Sequence, residues 1–293
     1  MGNRILYAIL WLWVRAHALL PMSVLYILSD ILYLFVYHVV RYRISVVRKN
    51  LKNSFPEKSE TERRKMERRF YRHFTDYIVE TIKLAGISEK ELLKRAHITN
   101  PEIILDLKDR GHTCFILLMG HYGNWEWFSG TTKRFNDVFT LNFLYRPLKN
   151  KAFDNLFLYM RTRFRSVCLK KNDAARDIIG IKRNKTPSLV IFIADQTPSK
   201  ANLHYWTTFL NQDSAMLTGA ERIAKKLDIP VIYCDLRQVK RGYYEVDFHV
   251  ISEKSSETEE FEITEKYARM MEKTILRDPA LWLWTHKRWK YVR

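Results

Sequence analysis

Two apolar stretches open the chain. The first runs from Ile5 to Val14, and the second from Ala16 to Val40, where there is no Lys or Arg and a single carboxylate, Asp30. As one helix, the second stretch would be long enough to cross the roughly 30 Å hydrocarbon layer of a bilayer. Pro21, Asp30 and His38 interrupt it, and a carboxylate near mid-span is costly. Three arrangements therefore fit: a transmembrane or deeply inserted helix, a hairpin lying in the interface, and an amphipathic pair packed on a soluble domain. The absence of a small-residue cleavage site after the apolar stretch argues against a signal peptide.

After Val40 the pattern changes. Arg41 to Arg72 holds twelve Lys/Arg and four Asp/Glu, a flank expected to stay on the cytoplasmic side and to attract anionic headgroups. It also suits a solvated helix face. Pro56 marks a turn, Glu60 to Leu84 is predicted as a helix, and Ser88 to Arg95 as a shorter one. Asn100-Pro101-Glu102 places Pro at a helix start, and Gly111 ends that helix. Compact apolar runs follow at Thr113–Met119, Val138–Leu144, Ser188–Ile193 and Pro230–Cys234, each bounded by a turn former or a charge. Such runs are the pattern of buried strands, whereas Tyr243–Ile251 alternates and is expected to be more exposed. Helices are predicted near Asn155–Arg165, Asp173–Lys182, Leu217–Leu227 and Ile263–Arg277, with a polar loop over Ser252–Glu260. Strands separated by helices imply an α/β fold with a mixed, largely parallel sheet flanked by helices. The boundaries expected are a membrane-anchoring helical segment over 1–45 and a catalytic domain over 46–293.

Composition narrows the classes. An apolar content of 47% excludes wholesale disorder, and a mean hydropathy of −0.30 excludes a protein made mostly of membrane spans. Cys114, Cys168 and Cys234 are widely spaced, which argues against a disulfide framework or a thiolate metal site. The formal charge of +18 calls for anionic partners. No zinc spacing, RNP-like or helix-turn-helix signature accompanies it, so no nucleic-acid partner is expected.

The most informative segment is Gly120-His121-Tyr122-Gly123-Asn124-Trp125-Glu126, directly after an apolar strand. Open α/β sheets bind ligands at the carboxyl ends of their strands. His121 and Glu126 lie five residues apart, about 140° on a continuous helix, so they meet only if His121 is on the turn and Glu126 in the first helical turn. In that arrangement the carboxylate would hold one tautomer, leaving the other nitrogen free as a general base toward a substrate hydroxyl. A merely structural histidine is the alternative. Arg146, Arg161, Arg163 and Arg165 form a guanidinium group suited to phosphate, or else a solvated basic helix. Ile191 to Asp195 is a second strand ending in an acid, able to orient an arginine or bind a sugar hydroxyl. Trp282, Trp284, His286, Arg288 and Lys290 form an aromatic and cationic strip, fit either for a membrane interface or for the core.

His121 to Glu126 resembles the H-x4-D/E motif of the glycerolipid acyltransferase superfamily. In its Gly-Asn-Trp-Glu form it resembles the late acyltransferases of lipid A biosynthesis. Tyr145-Arg146-Pro147 with Asn150, Asp154 and Arg161, then Ala194-Asp195-Gln196, then the Trp–His–Arg tail fall in that family's order, so the resemblance covers nearly the whole chain. Asn211 stands where the family usually has Gly, and Asn tolerates the left-handed backbone required there. The resemblance implies a glycerolipid acyltransferase-like fold and an enzyme moving a fatty acyl group from acyl carrier protein, or less readily coenzyme A, to a hydroxyl of a lipid A precursor. It also implies His121 and Glu126 as the catalytic pair. Arg146, Arg161 and Arg163, with Asn124 and Asp195, would bind substrate, and no metal or bound cofactor is expected beyond the thioester co-substrate. The implied partners are acyl carrier protein, anionic membrane lipids and a phosphorylated glycolipid acceptor. The implied place is the bacterial inner membrane, with the catalytic domain facing the cytoplasm. Backbone amides near Gly123 are the expected stabilisers of the oxyanion.

Overall fold

The computed structural model describes residues 2–131, 135, 138–291 and 293. Four helices come first: α1 (Gly2–Leu19), α2 (Met22–Leu34), α3 (Ile44–Ser54) and α4 (Glu60–Leu84). Pro21 (φ −58°, ψ 149°) separates the first two, its ring biasing the preceding residue out of the helical region. A π-helical turn, Phe35–Val40, extends α2. Arg41 and Arg43 then take left-handed φ of 53° and 52° before α3. Ser59 starts α4 with a reciprocal capping box to Glu62, which satisfies two backbone donors at once.

The two apolar helices do not stand apart from the domain. α2 packs along α4, burying Leu25, Ser29 and Tyr33, and leaves Val24, Ile27, Leu28, Ile31 and Leu34 exposed. Met22–Val40 is long and apolar enough to cross a membrane by length and composition. Asp30 is not left bare in the apolar stretch: Arg241 donates to it at 2.7 Å and to Asp76 at 2.6 Å.

The remaining helices are α5 (Glu89–Arg95), α6 (Glu102–Asp109), α7 (Phe128–Thr131), α8 (Lys151–Thr162), α9 (Ala174–Arg183), α10 (Gly219–Leu227) and α11 (Glu262–Arg277). The strands are β1 (Ala96–Ile98), β2 (Cys114–Met119), β3 (Thr140–Tyr145), β4 (Val167–Lys170), β5 (Ser188–Ile193), β6 (Tyr205–Phe209), β7 (Gln212–Met216), β8 (Val231–Lys240) and β9 (Tyr243–Ser252). Seven strands form one sheet in the order β1-β9-β8-β2-β5-β3-β4, and β6 and β7 make a separate hairpin. From β8 to β4 all neighbours run parallel; β8 and β9 are antiparallel. This is the mixed, largely parallel sheet that the apolar runs implied. β2 sits at its centre with all six residues buried, which is why Cys114–Met119 reads as unbroken apolar sequence rather than alternation. The chain steps outward from β3 through α8 to β4, then back through α9 to β5. Right-handed crossovers therefore put α8 and α9 on opposite faces, and α1 packs against α8.

Register sets up the site. Met119 of β2 lies opposite Ile193 of β5, so the segments leaving the two strands emerge side by side. The second residue beyond each strand is His121 on one and Asp195 on the other.

Candidate active site

Gly123 turns the chain after His121. Its φ is 56°, and a side chain there would collide with Leu236, so both backbone and packing demand glycine. The carboxyl-terminal segment pairs with this turn: Gly123 N donates to Leu281 O at 2.9 Å and Leu283 N to His121 O at 3.1 Å. Asn50 on α3 holds that segment in turn, donating to the carbonyls of Trp284 and His286. Trp282 and Trp284 are buried. They pack as core, and the membrane-strip alternative for these two residues is set aside.

His121 Nδ1 lies 2.7 Å from Asp195 Oδ1, and the His121 amide donates to Asp195 Oδ2 at 3.0 Å. The Trp282 indole adds a third donor to Oδ2 at 2.7 Å. Burial works to raise the Asp195 pKa, but the neighbouring imidazole and these hydrogen bonds outweigh it and hold the carboxyl below its usual range. With Nδ1 committed, Nε2 faces a cavity of about 730 Å³ lined by Tyr77, Trp125, Glu126, Arg146, Arg161 and Gln196, among others. Trp125 meets the His121 ring edge-on with centroids 5.1 Å apart, and Tyr77 stacks on Trp125 at 4.1 Å. Gln196 Nε2 sits 3.3 Å from His121 Nε2.

Glu126 is placed differently from the expectation. Its carboxylate receives Arg161 Nε at 2.8 Å and Arg161 NH2 at 2.5 Å, a bidentate pair with Glu126 almost fully buried. Burial disfavours the Arg161 charge, but Glu126 more than compensates and raises its pKa. The turn at Gly123 carries Glu126 toward α8, while strand register delivers Asp195 to the imidazole. The pair at His121 is therefore His–Asp, and Glu126 anchors an arginine on another wall of the same cavity.

Asn124 does not reach the cavity. It is buried, donates to Glu80 Oε2 at 2.7 Å and accepts from Trp127 N at 3.1 Å, so its amide is engaged in building the turn. Glu80 also accepts the hydroxyls of Tyr244 and Tyr26, both at 2.8 Å. Burial pushes its carboxyl up to about 7, against the pull of those hydrogen bonds. Arg163 donates to the carbonyls of Leu84 and Ile87, tying the end of α4, and is not among the residues that line the cavity. Arg146 does line the mouth, exposed, with Lys171 and Lys290. None of the three forms an ion pair among the described residues.

Three cavity residues escaped the sequence reading as functional groups: Tyr77, Lys171 and Gln196. Gln196 alone had a local signal, since it follows the acid at a strand end. His286 joins them in the lining; burial, reinforced by the charges of His121, Arg288 and Lys290, pushes its pKa down to about 4, so it is a neutral imidazole at physiological pH. A larger groove of about 1220 Å³ lies between α9 and α10 and shares Ala175, Gly219 and Ile223 with this cavity. It holds none of the groups that meet at His121.

A His–carboxylate pair at parallel strand ends, a neighbouring arginine on a carboxylate and a cationic mouth are now in place. Residues 3–291 match the family of bacterial lipid A biosynthesis acyltransferases. The chain belongs to that family. The search of curated proteins gave no match. As a lipid A biosynthesis acyltransferase, the chain carries its H-x4-E segment on the central strand's exit, with the two ends of that segment on separate partners.

Proposed function

We propose that this acyltransferase moves a fatty acyl group from an acyl thioester, acyl carrier protein in preference to coenzyme A, to a hydroxyl of a lipid A precursor, with His121 as general base. The observation that carries the reading is the His121–Asp195 pair, whose free Nε2 opens on the cavity. Asp195 holds the Nδ1–H tautomer and balances the imidazolium once formed. Nε2 takes the acceptor proton, and the oxygen bonds to the thioester carbonyl carbon as the carbonyl electron pair moves onto its oxygen. The tetrahedral intermediate then collapses with cleavage of C–S, and the leaving thiolate takes the proton back from Nε2.

Glu126 acts through Arg161. The fork uses two of the five guanidinium donors, leaving others for a phosphate of the acceptor, and Arg146, Lys171 and Lys290 give the mouth the sign that a phosphorylated glycolipid requires. Residues 1–45 serve as the membrane anchor and 46–293 as the catalytic domain. The exposed apolar faces of α1 and α2, bearing Ile5, Ile9, Ile27 and Ile31, meet the lipid of the inner membrane from its cytoplasmic side. The test uses detergent-solubilised protein, a phosphorylated lipid A precursor and a panel of carrier-protein and coenzyme A thioesters, read by mass spectrometry. Wild type should add one acyl mass and His121→Ala none. Equal transfer by both would remove His121 from the chemistry, and transfer only to lysophospholipid would keep the chemistry and replace the acceptor.

A further inference from the structure

Acyl transfer from a thioester places a negative charge on the former carbonyl oxygen, and a site built for it supplies donors there. Two of the backbone amides beside His121 are already committed. His121 N donates to Asp195 and Gly123 N to Leu281 O, so these two amides are not the oxyanion donors. A side-chain donor stands next to the base itself. Gln196, half-buried on the cavity wall, brings Nε2 to 3.3 Å from the base's own Nε2.

For the neutral imidazole that acts as base, the contact has one reading. Asp195 accepts at both oxygens, so His121 Nδ1 carries the proton and Nε2 carries the lone pair. A lone pair takes only a donor, which assigns the NH2 end of the Gln196 amide to face it. An acceptor hydroxyl entering to give its proton to Nε2 must displace that NH2, which is then left beside the two reacting oxygens with a free N–H.

We infer that Gln196 is the oxyanion donor of this site: its amide occupies the His121 lone pair at rest and donates to the thioester carbonyl oxygen as charge develops there. The inference rests on the acyl-transfer reading above. In the addition step the acceptor proton passes to Nε2, the C–O bond forms, and the carbonyl pair becomes the oxyanion that receives Gln196 N–H. When C–S breaks, the oxyanion returns to a carbonyl, the proton leaves Nε2 for the thiolate, and the amide resumes its place on the lone pair. No bond to Gln196 is made or broken.

The experiment compares wild type, His121→Ala, Gln196→Met, Gln196→Glu and Gln196→Asn with a carrier-protein thioester and a phosphorylated lipid A precursor. Gln196→Met keeps the volume and removes the donor. It should lose about 10²–10³ in kcat, with KM changed by less than about threefold. Gln196→Glu fills the same space but opposes the oxyanion, and should fall below Gln196→Met. Its acid limb in kcat/KM should also move to higher pH, because a carboxylate beside the imidazole favours the imidazolium. The other groups facing His121 in this region, Asp195, Glu126 with Arg161, His286, Arg288 and Lys290, are unchanged across the series. A merely structural glutamine predicts the reverse order, with the isosteric Glu the better tolerated. Near-wild-type kcat in Gln196→Met, or a Glu variant more active than the Met variant, would overturn the inference. If thermal melting shows that Gln196→Met is unfolded, the comparison of Gln196→Glu with the amide-retaining Gln196→Asn decides: the Asn variant must be the more active. Loss in His121→Ala with full activity in the Gln196 series removes only this inference, whereas an active His121→Ala removes the reading beneath it.

Discussion

Two carboxylate pairs share one cavity and are built to opposite ends. Glu126 and Arg161 meet through two charge-assisted hydrogen bonds, which engage both carboxylate oxygens. Asp195 is more deeply committed, with three donors on two oxygens, yet its partner His121 keeps one nitrogen on the cavity side, where Gln196 stands 3.3 Å away. A carboxylate paired to a permanent cation fixes a wall; a carboxylate paired to an imidazole leaves a ring nitrogen that, on the proposed reading, takes a proton. Proximity to the cavity does not distinguish them. The kind of partner on the carboxylate, permanent cation or imidazole, does.

The sharpest way to break that comparison is at the base. His121→Ala should lower kcat by about 10³–10⁴, near the upper end of general-base contributions, with the fold retained by thermal melting. Asp195→Asn should lose about 10²–10³ and change the pH profile, since the carboxamide no longer specifies the Nδ1–H tautomer. Because the Asp195 pKa is depressed in the fold, its contribution to stability is present above the ordinary carboxylate range and is lost as pH falls through the folded value. Acid unfolding of Asp195→Asn should therefore be flatter than that of wild type.

A smaller but more discriminating effect belongs to Glu126. Glu126→Gln strands a partly buried guanidinium and should cost about 2–4 kcal/mol of stability. Adding Arg161→Met should return part of that loss. Activity should fall without moving the acid limb of kcat/KM; a limb shifted as in Asp195→Asn would return Glu126 to the imidazole.

Glu80 gives a comparable signal in stability alone. Its folded pKa is raised to about 7, so the fold binds a proton that the unfolded chain releases near pH 4.5, and stability declines as pH rises between the two values. The decline should reach about 3 kcal/mol at most. Glu80→Gln, followed by chemical denaturation from pH 5 to 8, should remove most of that slope. The smallest effect is at the mouth. Arg146→Ala should raise KM for a phosphorylated acceptor about three- to tenfold, and the difference should shrink with added salt.

Much of the architecture is written in local pattern. Glu60–Leu84 has the predicted ends because Ser59 and Glu62 form a local cap, and β2 and β5 stand out because burial leaves Ser188 the one polar residue in them. Short edge elements carry too little pattern: β1 has three residues and β4 four. The β6–β7 hairpin lacks the usual Asn-Gly turn. Its turn uses Leu210 and Asn211 at φ 51° and 60°, as the left-handed tolerance of Asn211 allowed, but with a leucine that gives no warning. In the site, His121 was legible from the strand and turn around it. Its partner was not, because pairing to Asp195 depends on the register of β2 against β5 across 74 residues of chain, a long-range property that spacing along the sequence does not encode. Glu126 sat at the right interval for the imidazole and was taken by a helix that passes nearby only in three dimensions. Asn124 and Arg163 carry polar groups that suit a substrate equally well in sequence; their commitment to Glu80 and to the end of α4 shows only in the packed fold.

Tyr26 lies on α2, the helix with the exposed apolar face, and its hydroxyl ends on Glu80, the same carboxylate that holds Asn124 in the turn beside the base. Detaching this helix is therefore not a neutral edit. A water-soluble fragment made by cutting away α2 would expose a buried acid, remove one of its three side-chain donors and slacken the support behind His121. Anyone trimming this enzyme for solubility would do better to keep the helix and replace Val24, Ile27, Ile31 and Leu34 with polar residues, leaving Tyr26 in place.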